Sequence, residues 1–321
     1  MNKQGEGRAG APKVGLALGS GSSRGWAHIG VIRALAEAGV EISCIAGTSI
    51  GALVGAGFAL DKMDVLEEFA RQLDWKQIVS FLDVVFPRSG LFDGGKITEF
   101  FRGHVHEVNI QDLPLPYCAV ATDLATGDEV VFSQGDLVEA IRASVSIPGV
   151  FTPARRDGAF LVDGGLVNPV PVSVARRMGA DYVIAVDLNH GRIDKSGNGA
   201  MTDNDSSAKH GEEDLKRKIT QELADRFSQL SSPSLSQIGK WISKEPTPNI
   251  IEVLTTSINI MAAQITEINL KRDPPDLLIR PRLGHLRLME FHRAEEAIEE
   301  GYRETVRRLA QAHPPATGRA R

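Results

Sequence analysis

The chain has 321 residues, 42% of them hydrophobic and 24% charged, with a formal net charge of −5. This is the make-up of a globular protein with room for one large core, and its acidic balance argues against a nucleic-acid partner. The longest apolar run, Ile50 to Leu60, falls well short of the roughly 20 residues that span a membrane. Cys44 and Cys118, the only cysteines, lie in strand-like runs and read as buried free thiols. With a polar N-terminus that lacks an apolar signal core, they point to a cytoplasmic protein, soluble or membrane-peripheral.

Val14 to Leu18 reads as a buried strand, followed by the loop Gly19 to Gly25 and a helix from Trp26 to Ala38 that Gly39 stops. Ile42 to Ala46 is the next strand and Ala52 to Leu60 the next helix. Phe81 to Pro87 is an apolar stretch that either shapes an entrance or fills core, and Gly90 to Ile97 a turn before a helix over Ile97 to Phe101. Tyr117 to Thr122 and Glu129 to Phe132 are strands around the turn Thr126-Gly127-Asp128. Leu137 to Ser144 is a short helix, Ala159 to Val162 a strand, Val172 to Met178 a helix and Tyr182 to Leu188 a strongly apolar strand.

Gly191 to Asp214 is rich in Gly, Ser, Asn, Asp and Lys and reads as a disordered loop. Leu215, Ile219, Leu223, Phe227 and Leu230 then mark one helical face. A second helix, Ile251 to Leu270, carries Leu254, Ile258, Met261, Ile265 and Ile268 on its apolar side. A late strand, Asp276 to Pro281, and a closing amphipathic helix, Met289 to Gln311, complete the series. The organisation expected is a disordered N-terminus over 1–12, a catalytic core over 13–190 and a disordered loop over 191–214. Helices and one late strand over 215–312 complete the same domain, and 313–321 form a disordered tail. Alternating strands and helices imply an α/β fold, a central, mostly parallel sheet with helices on both faces.

Gly47-Thr48-Ser49-Ile50-Gly51 is the most informative segment. A strand that ends in Gly-x-Ser-x-Gly and turns at once into a helix describes a nucleophile elbow. Glycines two residues either side leave space for the turn, and the helix N-terminus favours negative charge beside the serine oxygen. Ser49 is therefore the candidate nucleophile for attack on an acyl group. A second copy of the pattern, Gly21-Ser22-Ser23-Arg24-Gly25, lies inside the looser loop that begins at Gly19. Such a loop suits an anion cradle, because its backbone N–H groups can converge on one point. Gly19, Ser20, Gly21 and Ser22 are thus candidates for an oxyanion hole. Asp163 caps an apolar strand and is followed by Gly164-Gly165, so its carboxylate projects from a tight turn and is the candidate general base.

Taken in order, these segments resemble the patatin-like phospholipase family, in its bacterial branch related to the neuropathy target esterases. Gly19 to Gly25, with Arg24-Gly25 intact, matches the family's oxyanion loop, Gly47 to Gly51 its elbow and Asp163 to Gly165 its Asp-Gly-Gly/Ala turn. Ala140 to Gly149 looks like a family block preceding the aspartate. The family loop commonly carries three glycines where this chain has Ser20-Gly21-Ser22, and serine adopts positive φ less cheaply than glycine. The resemblance implies a Ser49–Asp163 dyad without histidine, an acyl-serine intermediate and a lipid acyl ester of phospholipid or lysophospholipid class as substrate. It implies no cofactor and no metal.

Two alternatives stand beside that reading. Ser49, Asp163 and His190 follow the chain order of an α/β-hydrolase triad, which makes a Ser–His–Asp esterase the rival mechanism. The chain also fits a regulatory or adaptor protein on the same fold, with a protein partner bound through 191–245. The basic start of the helix over Leu215 to Leu230 leaves open a peripheral membrane contact, although packing on the domain is favoured. His28 is expected to pack or cap locally. Other motifs fail on inspection. Gly19 to Gly25 has one residue too many for a dinucleotide loop, Gly90 to Ile97 ends in Ile where a P-loop needs Ser or Thr, and His104 and His106 give little support to a metal site.

Overall fold

The computed structural model describes residues 12–74, 77, 90–105, 107–190 and 250–312. An eight-stranded sheet has the order β10-β9-β1-β2-β4-β8-β7, with β5 paired to β4 outside that path. Its strands are β1 (Val14–Leu18), β2 (Ile42–Thr48), β4 (Tyr117–Asp123), β5 (Glu129–Phe132), β7 (Ala154–Arg156), β8 (Ala159–Asp163), β9 (Tyr182–Val186) and β10 (Leu277–Ile279). β10, β9, β1, β2 and β4 run parallel, β5 and β8 pair antiparallel with β4, and β7 pairs antiparallel with β8. The sheet is thus mixed but mostly parallel, as the strand–helix alternation implies.

Both faces are covered, because side chains alternate across the strands. Leu16, Leu18, Ile45, Ala119 and Ile184 pack on one side with residues of α1 (Ala27–Glu37), α2 (Ile50–Ala59) and α8 (Ala294–Gln311). Ala17, Cys44, Ala46, Cys118, Val120 and Ala185 pack on the other with α6 (Val172–Arg177) and Leu270 of α7 (Ile250–Arg272). Both cysteines are free and buried there, and burial pushes the Cys118 thiol up to about 11. The remaining α-helices among the described residues are α3 (Met63–Gln72), α4 (Gly95–His104) and α5 (Leu137–Ser144).

The structure departs from the sequence reading in several places. Gly90–Phe92 is a strand, β3, rather than a turn, and it pairs in parallel with β6 (Gly149–Phe151) in a separate two-stranded sheet. Three residues are too few to show a period, and the partner is distant in sequence. The second half of the glycine loop tightens into a 3-10 turn over Ser22–Trp26. On α7 the expected apolar side is largely turned outward, with Leu254, Met261 and Ile268 exposed. The buried side is instead small or polar, with Thr255, Ala262, Ala263 and Thr266, plus Leu270. Small residues let the helix approach closely, and Asn269 Nδ2 donates to the Val167 carbonyl at 3.1 Å. The segments 191–214 and 215–230, Phe81 to Pro87, His106 and both chain ends fall outside the described residues.

Helices α1 and α8 cross at Gly30 and Gly301. A Cβ on Gly30 would overlap the Ile298 carbonyl oxygen, and one on Gly301 would overlap that of Ala27. Gly30→Ala therefore forces the helices apart, an overpacking cost of roughly 1–3 kcal/mol or more. A lower urea midpoint with unchanged slope is expected. Gly103→Ala on α4, where an added Cβ meets nothing within 4 Å, is expected to be neutral or stabilising.

Candidate active site

Strand β4 acts as a ruler for the site. The pairing of β2 along it ends with Thr48 opposite Val120, and the pairing of β8 ends with Asp163 opposite Ala121. Because β2 runs parallel to β4 and β8 antiparallel, their C-terminal ends meet at neighbouring positions of one strand. Ser49 directly follows the first end and Asp163 is the second. A Cβ on Gly164 would overlap the Val120 carbonyl oxygen, so only glycine lets the chain leave β8 this close to β4.

The elbow is tighter than the sequence implies. β2 continues through Gly47 and Thr48, α2 begins at Ile50, and Ser49 alone makes the turn with φ 58° and ψ −125°. The strain thus sits on the serine itself, at a conformation that typically costs roughly 1–3 kcal/mol for a residue with a Cβ. The flanking glycines supply space. A Cβ on Gly47 would lie 2.5 Å from Ala52 Cα, and one on Gly51 would strike the Leu18 carbonyl. Thr48 Oγ1 donates to the Asn168 carbonyl at 2.8 Å and anchors the strand end.

Ser49 Oγ donates to Asp163 Oδ2 at 2.5 Å, and both residues are buried. The other carboxylate oxygen, Oδ1, accepts the Gly165 N–H at 2.7 Å. Thr122 Oγ1 donates to the Asp163 carbonyl at 2.9 Å, and the Asp163 N–H donates to the Ser146 carbonyl at 2.9 Å. Burial pushes the Asp163 carboxyl from 3.8 up to about 6, against the downward pull of the Ser49 and Gly165 hydrogen bonds.

The glycine loop lies against this elbow, since Gly51 packs on the Leu18 and Gly19 carbonyls and Gly25 on Ile50. Its four candidate residues divide into two pairs. The Gly19 N–H donates to the Val186 carbonyl at 3.0 Å and the Ser20 N–H to that of Pro169 at 2.8 Å. Those two groups are committed to the fold. The Gly21 and Ser22 N–H groups have no acceptor among the described residues. Ser22 adopts φ 52°, where the commoner glycine would be cheaper, and its hydroxyl is tied to the Leu288 carbonyl at 2.7 Å.

Arg24 is fully buried and donates to the carbonyls of Gly21 and Leu188 and to Asn189 Oδ1. Asn189 Nδ2 in turn donates to the Ser20 carbonyl and hydroxyl oxygens. His28 Nε2 lies 2.8 Å from the Gly19 carbonyl oxygen, an acceptor, so Nε2 carries the proton. Burial pushes its pKa down to about 4, and the neutral ring packs locally as expected. Thr122, Ser144, Asn168 and Asn189 were not singled out from sequence. Only Ser144 had a signal available, its place in the block that precedes the aspartate.

His190 is exposed and stands near Asp187 and Glu267, with side-chain ligand atoms of the three within 4.8 Å. Arg280 bridges those two carboxylates, donating to Asp187 at 2.9 Å and to Glu267 at 2.5 Å. The Ser49 hydroxyl donates to Asp163 directly, with no imidazole between them. No described helix is long and apolar enough to cross a membrane.

Residues 16–176 match the family model described as patatin-like phospholipase. The chain is 34% identical to an uncharacterized NTE family protein of Mycobacterium tuberculosis, over 91% of this chain and 89% of that protein. It is 38% identical to patatin-like phospholipase domain-containing protein 7 of Mus musculus, over 54% of this chain but 13% of the larger protein. Among solved structures, VipD from Legionella pneumophila aligns with a TM-score of 0.47 and 14% identity, covering 94% of this chain and 67% of its own. The chain belongs to the patatin-like phospholipase family.

Proposed function

We propose that this protein hydrolyses lipid acyl esters of phospholipid or lysophospholipid class through a Ser49–Asp163 dyad and an acyl-serine intermediate. The observation that carries the reading is the direct Ser49 Oγ to Asp163 Oδ2 hydrogen bond of 2.5 Å beneath a strained elbow. The substrate class rests on the family alone. Thioesters and simple esters would suit the same chemistry.

Asp163 takes the Ser49 proton as Oγ forms a bond to the substrate carbonyl carbon. A carboxylate of ordinary pKa is a poor base at neutral pH, and one raised to about 6 is a better match. The tetrahedral oxyanion is received by the Gly21 and Ser22 N–H groups, each such donor being worth roughly 3 kcal/mol. Collapse expels the alcohol, which takes the proton back from Asp163 and leaves acyl-Ser49. Water then attacks the acyl carbon while Asp163 accepts its proton. Collapse returns that proton to Ser49 Oγ and releases the fatty acid.

Fluorophosphonate labelling read by intact mass tests the reading. The parent and His190→Ala proteins are expected to label, whereas folded Ser49→Ala and Asp163→Asn proteins are not. Labelling of the parent should weaken as pH falls through about 6, because protonation removes the base. A folded parent that fails to label would sink the hydrolase reading and favour the adaptor alternative. Silence in His190→Ala would instead restore the triad.

The same burial has a cost in stability. Raising a carboxyl from 3.8 to about 6 makes its ionisation on the folded chain about 3 kcal/mol less favourable than on the unfolded chain. That penalty is absent below the unfolded value, grows as pH rises from 3.8 to about 6, and is constant above. Asp163→Asn, which carries no charge to bury, is therefore expected to gain on the parent in denaturant midpoint as pH rises from about 4 to 7. An unchanged difference across that range would contradict the assignment of a raised pKa to Asp163.

A further inference from the structure

We propose that Ser144 is a positioning residue for the reaction at Ser49, an inference that rests on the acyl-hydrolase reading above. Ser144 closes α5 and is fully buried. Its Oγ accepts the Ser49 main-chain N–H at 2.8 Å and donates to the Val120 carbonyl at 2.6 Å. A carbonyl oxygen only accepts, so the single hydroxyl proton is spent on Val120. The oxygen is left as a pure acceptor facing Ser49. One end of this bridge, Val120, lies on β4 opposite Thr48, the residue that precedes Ser49.

Ser49 needs such a hold. Its backbone occupies φ 58° and ψ −125°, which persists only where the surroundings over-determine it. On its C-terminal side the Ser49 carbonyl is held by the Ala52 and Leu53 N–H groups at 2.9 and 3.2 Å. On its N-terminal side the hold is the Ser144 hydroxyl. Without it the Ser49 N–H loses its acceptor, and the strained turn holds Oγ less firmly toward Asp163.

The same segment also grips the other reacting residue. Two positions on, the Ser146 carbonyl accepts the Asp163 N–H at 2.9 Å, and the Ser146 hydroxyl donates to the Arg142 carbonyl at 2.7 Å. The end of α5 therefore fixes the main chain of nucleophile and base relative to each other. Because the Ser49 N–H is used here, it is withheld from the developing oxyanion, which leaves that task to the glycine loop.

The test compares the parent with Ser144→Ala and Ser144→Thr, the latter keeping the hydroxyl. Turnover of p-nitrophenyl butyrate, fluorophosphonate labelling rate and thermal unfolding are measured on each full chain. A folded Ser144→Ala is expected to lose about 100-fold in kcat and in labelling rate while KM stays within about twofold, as for a misplaced nucleophile. Ser144→Thr is expected to recover most of that loss. Parental kcat in Ser144→Ala, a loss confined to KM, or an equal loss in a folded Ser144→Thr would each overturn the proposal. Should Ser144→Ala fail to fold, Ser144→Thr decides, with retained labelling in support and lost labelling on an intact fold against. A labelling parent with an unaffected Ser144→Ala removes the Ser144 role alone, whereas a folded parent that neither labels nor turns over removes the hydrolase reading as well.

Discussion

The short hydrogen bond between Ser49 and Asp163 depends on strand β4, which pairs with β2 in one direction and with β8 in the other. A strand that follows β4 in parallel delivers its C-terminus to the sheet edge, where open α/β sheets place their sites. A strand running antiparallel delivers its own C-terminus from the opposite side. Their meeting at Val120 and Ala121 brings together two residues separated by 114 positions in the chain. A one-residue slip of β8 would turn Asp163 to the other face of the sheet. The register on β4 is therefore as much a part of the site as the side chains are.

Neither member of the pair is in a comfortable state. Ser49 holds a strained backbone, and Asp163 holds a carboxylate in a buried setting that favours its neutral form. Both are tolerated because the layers around them are well packed and bring little strain of their own. Leu16, Leu18, Ile45 and Ile184 are fully buried, and each Leu or Ile of this kind contributes roughly 1.5–3 kcal/mol of transfer free energy. The loop Gly19 to Gly25 repeats the pattern on a smaller scale. Ser22 sits in the left-handed region, while its hydroxyl, the Arg24 guanidinium and Asn189 tie the loop to neighbouring segments. Gly19 and Ser20 spend their N–H groups on that scaffold, and only the next two residues keep theirs.

Much of this was legible in the sequence because it is local. The strands Val14 to Leu18 and Glu129 to Phe132 and the helix Leu137 to Ser144 appear with their predicted bounds, each being a strong apolar period between turn residues. Gly47 to Gly51 and Asp163 to Gly165 announce tight turns by composition alone. What escaped was non-local. β3 and β6 are three residues each and exist through their mutual pairing, so neither carries a period of its own. The outward apolar side of α7 reverses the usual rule, because its inner contact is set by close approach and the Asn269 hydrogen bond. Ser144 looks like an ordinary helix end until the fold sets it between Val120 and Ser49. The division of the loop donors likewise depends on Val186 and Pro169, far along the chain.

The proposed serine–carboxylate dyad, working without histidine, places opposing demands on the acid. The carboxylate must lie close enough to accept the hydroxyl proton, yet each hydrogen bond it accepts stabilises its charge and weakens it as a base. A carboxylate held by two or three backbone N–H groups can fall below a pKa of about 2. At Asp163 the turn supplies one such donor, Gly165, to Oδ1 and leaves Oδ2 to Ser49. One donor is enough to orient the group without stabilising it further. The remaining contacts at this residue, from Thr122 and to Ser146, fall on its main chain, where they fix position and leave the carboxylate charge almost untouched. Burial then supplies the upward shift that proximity to the serine opposes, and the balance settles near 6. The Gly164–Gly165 turn is suited to this compromise because its backbone bends sharply enough to offer one N–H and brings no side chain to offer another.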